Sequence, residues 1–182
     1  MVQDVVPEYA LLKTYHGGRC PECWAKSGDC FAVTVNRPVT LAEFVFAFYT
    51  SPVFRIERLI LRLLANAPSM DSDVQRLAEG SGTSFAIWRV GARTPTQLLM
   101  CDRYERTRSW FSVVRLDAGK TLLQFGSAVA SRSEQKTESK VRRFMFRLLM
   151  KFHVAYSEIL LHAAKRGVGR LQRHAGTLGK PR

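Results

Sequence analysis

The longest amphipathic pattern in the chain, Ser139 to Arg166, is the feature that the other residues have to accommodate. Its apolar side chains fall at Val141, Phe144, Met145, Leu148, Leu149, Phe152, Ala155, Ile159, Leu160 and Ala163. That is the i, i+3, i+4, i+7 spacing of one buried helix face. Arg142, Arg143, Arg147 and Lys151 lie off the stripe. A helix this apolar on one side needs a surface to lie on, and the strand-like segments before it are the material for that surface.

Taken in order, residues 1–29 read as a loosely structured segment. They hold a short apolar patch, Tyr9 to Leu12, and then the turn-rich run His16-Gly17-Gly18-Arg19. Cys30 to Val35 is rich in β-branched and aromatic residues and reads as a strand. Thr40-Leu41-Ala42-Glu43 is a capping box that opens a helix. Ser51-Pro52 breaks that helix and starts a second, with Ser51 as N-cap and Pro52 at the first helical position. Ser72 to Gln75 reads as a weaker capping box before a short helix that Gly80 terminates. Strand patterns follow at Ser84 to Val90, Thr96 to Arg103, Thr107 to Leu116 and Thr121 to Ala130, joined by short polar links that suit an antiparallel meander. The main domain is therefore expected over residues 30–166, with a basic flexible tail over residues 167–182.

This order predicts an α+β fold: an antiparallel curved sheet wrapped around a long C-terminal helix, with two short helices after the first strand. It resembles the START or Bet v1-like (SRPBCC) helix-grip class. In that class the two helices plug one end of the sheet, and a cavity lies between sheet and final helix. The class usually has more strands than the five readable here. The stretches Phe46-Ala47-Phe48-Tyr49-Thr50, Phe54-Arg55-Ile56-Glu57-Arg58, Gln97-Leu98-Leu99-Met100-Cys101-Asp102, Arg108-Ser109-Trp110, Phe125-Gly126-Ser127-Ala128 and Phe152-His153 are similar to an uncharacterised bacterial protein family associated with the same class. That resemblance covers Cys30 to Arg166 and implies a fold without an established activity, so no catalytic residues follow from it.

Net charge is +13, and it is unevenly placed. Residues 140–182 hold eleven Lys or Arg against one acid, Glu158, a net +10 that leaves +3 for the other 139 residues. A basic end of this kind suits nucleic acid or an anionic membrane surface; the plainer reading is a solvated helix face and tail. Met1 to Ala10 carries Asp4 and Glu8 and no apolar core of a secretory leader. No apolar run approaches the ~20 residues a spanning helix needs. A cytoplasmic protein is the expectation. Walker A, Gly-x-Gly-x-x-Gly, Gly-x-Ser-x-Gly and His-Glu-x-x-His patterns are all missing, which argues against P-loop phosphoryl transfer, Rossmann dinucleotide chemistry and serine esterase chemistry. No cofactor is expected.

Four groups of residues carry chemistry worth weighing. His16, Cys20, Cys23 and Cys30 make a four-ligand zinc set on paper, but only one short Cys-x-x-Cys knuckle is complete, so free thiols and no metal are expected. Asp102 and Arg108 flank one turn and are placed to pair across strands. If they line a cavity instead, Arg108 suits a ligand carboxylate, with Trp88 or Trp110 as an apolar wall. His153 and Tyr156 are helical neighbours at the edge of the long apolar stripe, read either as a satisfied histidine or as a cavity-facing pair. Glu57 follows Ile56 and can be drawn inward, where burial raises a carboxyl pKa. The leading functional reading is a helix-grip domain that binds a small apolar or amphipathic molecule. The alternatives are an enzyme on that scaffold, using Glu57, Asp102 or His153 as acid or base, and an anion-binding protein working through the basic end.

Overall fold

Seven antiparallel strands form one sheet, in the order β1-β2-β7-β6-β5-β4-β3 among the described residues. The strands are β1 (Val2–Gln3), β2 (Gly28–Val35), β3 (Ser84–Phe85), β4 (Trp88–Arg93), β5 (Gln97–Asp102), β6 (Thr107–Arg115) and β7 (Thr121–Val129). Helices α1 (Leu11–Thr14), α2 (Leu41–Tyr49), α3 (Pro52–Ala65) and α4 (Asp71–Glu79) complete the part before β7 and its neighbours. Residues 159–170 form a further helical stretch, α5. This computed structural model describes residues 2–3, 6–15, 28–65, 68–104, 107–129 and 159–170. The α+β architecture expected from the element order is therefore present: a meander, three helices between β2 and the meander, and a C-terminal helix against the sheet.

Local chemistry explains most of the boundaries. The Glu43 amide donates to Thr40 Oγ1 at 3.2 Å, and the Thr40 amide donates to Glu43 Oε2 at 2.8 Å, which closes the capping box at the start of α2. The Phe54 amide donates to Ser51 Oγ at 3.2 Å, so Ser51 caps α3 as its sequence implies. At α4 the capping group differs from the expected Ser72 to Gln75 box. The Asp73 carboxylate accepts from the Met70 amide at 2.7 Å, so the box starts at Met70, two residues earlier. Gly80, at φ 89°, ends α4 in the left-handed region that glycine tolerates. Arg93 then donates to the Leu77 and Ala78 carbonyls at 2.7 and 2.6 Å and ties the end of α4 to β4.

The strand pattern departs from expectation at three places. Ala86 adopts φ 51°, so the segment expected as one strand from Ser84 to Val90 folds back on itself, pairing Phe85 with Trp88. Gly91 to Arg93, expected as part of a turn, continue β4 through a bulge between Val90 and Ala92. The N-terminal segment holds β1 and α1, where turn residues argue against regular structure. β1 pairs with Phe31 and Cys30 at the edge of β2.

The sheet is buried on both faces. One face carries Phe31, Leu98, Met100, Phe111, Leu123 and Phe125 into the main core with α2, α4 and α5. Phe48 sits at its centre, with ring centroids 4.7 Å from Phe125 and 4.8 Å from Phe111. The other face carries Cys30, Leu99, Cys101, Trp110 and Ala128 against Val6, Ala10 and Leu12. Each large side chain so buried contributes about 1.5–3 kcal/mol. Gln97 pins α1 there: its Oε1 accepts from Trp110 Nε1 at 2.7 Å and from the Leu11 amide at 3.0 Å.

In α5, Leu160, Leu161, Ala164 and Val168 are buried. Gly167 brings α5 close to α2, since a Cβ added there would sit 3.1 Å from that of Ala47. Helix continues to residue 170, beyond the expected onset of the tail at 167.

Candidate functional site

A cavity of about 280 Å³ lies between the inner face of the sheet and the helices. The end of α2 supplies Phe48 and Tyr49, α3 supplies Phe54 and Glu57, and α5 supplies Leu160. Phe54 and Glu57 are three apart on one helix, so they present to the same side. From the sheet come Trp88, Asp102, Thr107, Ser109 and Phe125, together with Arg108. Trp88 stands directly opposite Asp102 in the β4–β5 ladder. The aromatic rings form a continuous wall, with Tyr49 4.7 Å from Phe54 and Phe54 5.7 Å from Trp88 between centroids.

Two carboxylates interrupt this apolar lining. Asp102 is 5% exposed and accepts from Thr107 Oγ1 at 3.3 Å. Burying a carboxylate is costly, so a hydroxyl partner at that depth matters. Glu57 is half-buried on α3. Burial first, and then the Glu57 carboxylate, push the Tyr49 phenol well above the usual tyrosine range, so it stays a neutral hydrogen-bonding group. Two arginines of α3 are directed elsewhere. Arg55 and Arg58 both pair with Asp71, and Arg58 also donates to Ser69 and covers the Phe85 ring at 5.7 Å.

The sequence-derived candidates divide by sheet face. Glu57, Trp88, Asp102 and Arg108 all border the one cavity. The head group of Arg108, however, turns to the opposite face. It donates to the Tyr15 carbonyl at 3.2 Å and covers the Tyr15 ring at 5.1 Å. Strand alternation is the reason: Arg108 is in register with Cys101, so it shares the Cys101 face, and Asp102 lies on the other. Trp110 follows the same parity. It is fully buried in the outer cluster, 6.3 Å from the Tyr9 ring, and does not line the cavity. His153 and Tyr156 lie outside the described residues. Tyr49, Phe54, Thr107 and Phe125 were not singled out from sequence. Phe54, one turn before Glu57, was the readable signal among them.

Of the suggested zinc set, Cys30 is buried in β2 among the outer cluster, and burial pushes its thiol from 9.0 up to about 11. His16, Cys20 and Cys23 lie outside the described residues. Among the described residues no cluster of three metal-ligating side chains occurs. No described helix is long and apolar enough to cross a membrane. Of the basic residues from 140 onward, Lys165, Arg166 and Arg170 fall in the described part, and all three are exposed.

A larger hollow, of about 460 Å³, lies between the α2–α3 corner and α5. Its walls are small side chains such as Ala47, Ser51 and Ala163, with Arg166 and Arg170. It contains none of Glu57, Trp88, Asp102, Arg108 and Trp110 and no aromatic wall; Arg166 and Arg170 belong to the basic end marked out by sequence.

No protein-family model and no curated protein matches the chain. Among solved structures, the crystal structure of Ara h 8.0201 is similar at 11% identity and a TM-score of 0.30, over 78% of this chain and 97% of that one. A likeness at that level says nothing about what this chain binds.

Proposed function

We propose that the protein binds a small amphipathic molecule in the cavity between the sheet and α5. The observation that carries this reading is the composition of the cavity wall: a run of aromatic rings interrupted by the buried Asp102 and the half-buried Glu57. Ligand sites combine an apolar lining with a few polar groups that fix orientation, and this wall has that make-up. Its volume of about 280 Å³ limits the buried part of a ligand to one substituted ring or a short chain. The test is titration of the full chain with 2-phenylethanol, followed by calorimetry and by the indole N–H resonances. Saturable binding with one site per chain is expected, weakened when Ser109→Leu narrows the cavity. Binding unaffected by Ser109→Leu, or no binding at all, counts against the reading.

A second reading, acid–base catalysis on the same scaffold, is favoured by one observation. Two carboxylates in unlike surroundings border a single cavity, one buried with a hydroxyl partner and one half-exposed. Environments that differ in this way separate an acid from a base. A panel of esters, lactones and β-hydroxy carbonyl compounds tests it. Turnover that survives combined Glu57→Gln and Asp102→Asn substitution removes those two groups from any mechanism.

A further inference from the structure

Helix α3 carries two unlike faces. Phe54 and Glu57 turn inward and border the cavity. On the side away from it, Ile56, Leu59 and Leu63 are 63%, 54% and 72% exposed. At i, i+3 and i+7 they form one stripe along the helix, whereas exposed apolar side chains scattered singly need no explanation. Pro52, one turn before Ile56, is exposed on the same line. Arg55 and Arg62, both exposed, run along one flank of the stripe. The first turn of α3, through Pro52 and Val53, shares the larger hollow with the exposed Arg166 and Arg170 of α5. Part of the basic end of the chain, net +10 over residues 140–182, therefore comes alongside the start of α3.

We propose that α3 is a docking helix for an anionic lipid bilayer. Ile56, Leu59 and Leu63 enter the boundary between headgroups and acyl chains, and the basic side chains meet the lipid phosphates and carboxylates. Helices that lie in a membrane surface combine these two features, an apolar stripe and a basic flank. Charge chooses the occupant. A second copy would cover the stripe, but each chain carries a net +13 and two copies repel. A nucleic acid would answer the charge and leave the stripe in water. An anionic bilayer answers both. Neither feature holds the protein alone: three side chains are a short apolar anchor, and attraction to anionic headgroups fades within a Debye length.

The test is flotation of the full chain with vesicles of phosphatidylcholine alone and of phosphatidylcholine mixed with phosphatidylserine, at low and high salt. Binding to the mixed vesicles is expected to be about tenfold or more tighter than to phosphatidylcholine, and to weaken as salt rises. Leu59→Ser combined with Leu63→Ser is expected to weaken it by about tenfold, with an unchanged circular dichroism spectrum because both side chains already face water. Should the pair disturb the fold, Ile56→Ser alone reads the same stripe, with a severalfold loss expected. Leu116→Ser, which removes an exposed apolar side chain just beyond β6, is the matched control and is expected to leave binding unchanged. Absence of vesicle binding, or equal binding to both kinds of vesicle, overturns the proposal. Binding that the α3 substitutions leave intact also overturns it and assigns the contact to the basic end alone. Dimerisation in the ultracentrifuge that the same substitutions abolish gives the stripe to a second copy and overturns it likewise.

Discussion

Arg37 donates from Nη2 to the carbonyl oxygen of Val168 at 3.0 Å, bridging 131 positions of chain. From Nη1 the same guanidinium reaches the Glu43 carboxylate at 3.0 Å and the Pro38 carbonyl at 2.7 Å. One side chain thus joins the capping box of α2 to the far end of the described part of α5. Arg37→Ala is expected to lower stability by roughly 1.5–3 kcal/mol, the range for losing hydrogen bonds to a charged group. The midpoint of urea unfolding checks this.

Gly126 faces Trp110 across the β6–β7 ladder. A Cβ there would lie 3.0 Å from the Trp110 ring carbon Cε3 and 3.2 Å from the Asp29 carbonyl oxygen. Neither the indole, held by Gln97, nor the backbone yields easily. Gly126→Ala should cost about 1–3 kcal/mol through overpacking. Thermal unfolding measures it, and a neutral result would mean that the β7 backbone is softer than its pairing on both sides implies.

Stability should decline in alkali. The Cys30 thiol goes from 9.0 to about 11 in the folded protein, and the Tyr49 phenol is also raised, both chiefly by burial. An acid with a raised folded pKa keeps its proton in the native state while the unfolded chain releases it. Its stabilising contribution is therefore complete below the unfolded value and is lost as pH climbs above it. For Cys30 that window runs from 9.0 to about 11. Cys30→Ala and Tyr49→Phe should flatten the alkaline limb of the stability curve. A thiol reagent should leave Cys30 unmodified until the protein unfolds.

The acid limb has a different origin. The Arg58 bond to Asp71 is the largest influence there, and it holds the carboxyl below its usual range against the opposing effect of burial. A depressed carboxyl contributes stability above its unfolded pKa, and this is lost as pH falls through the lower folded value. Asp71→Asn should therefore reduce stability at neutral pH and leave it less dependent on pH below about 4. Asp71 is 48% exposed, so solvent screening keeps the effect small. Chemical unfolding repeated from neutral to acid pH follows it.

Two tryptophans of the sheet should answer ligand differently. Trp88 borders the cavity, whereas Trp110 is sealed on the far face and bonded to Gln97. Trp88→Phe should remove most of the fluorescence change caused by 2-phenylethanol, and Trp110→Phe should preserve it. The reverse result would move the ligand to the outer cluster.

These outcomes show which parts of the molecule could be read in advance. Caps such as Thr40 with Glu43, and Ser51 with Pro52, act between near neighbours, so local sequence specifies them. The meander was legible for the same reason, since its links are short. Ala86 was not, because a positive φ at alanine is imposed by the packing of Phe85 and Trp88 against the core, without a glycine to announce it. At the site, simple alternation along β6 separates Arg108 and Trp110 from Ser109 and Phe111, as the ladder shows. What it could not supply was which of those two faces met the cavity. That depends on the whole sheet being covered on both sides, and the outer cover, α1 with Val6 and Ala10, came from a segment whose turn residues hid it.

That cover has a practical consequence. Among the first fifteen residues, β1 occupies the edge of β2, and Val6, Ala10, Leu12 and Tyr15 shield Leu99, Cys101 and Trp110 from water. A version of the protein begun at residue 16 would lose both at once, leaving a bare strand edge beside an apolar sheet surface. Edges of that kind recruit other chains. The shortened protein should self-associate, with its inner cavity intact and its outer face acting as adhesive.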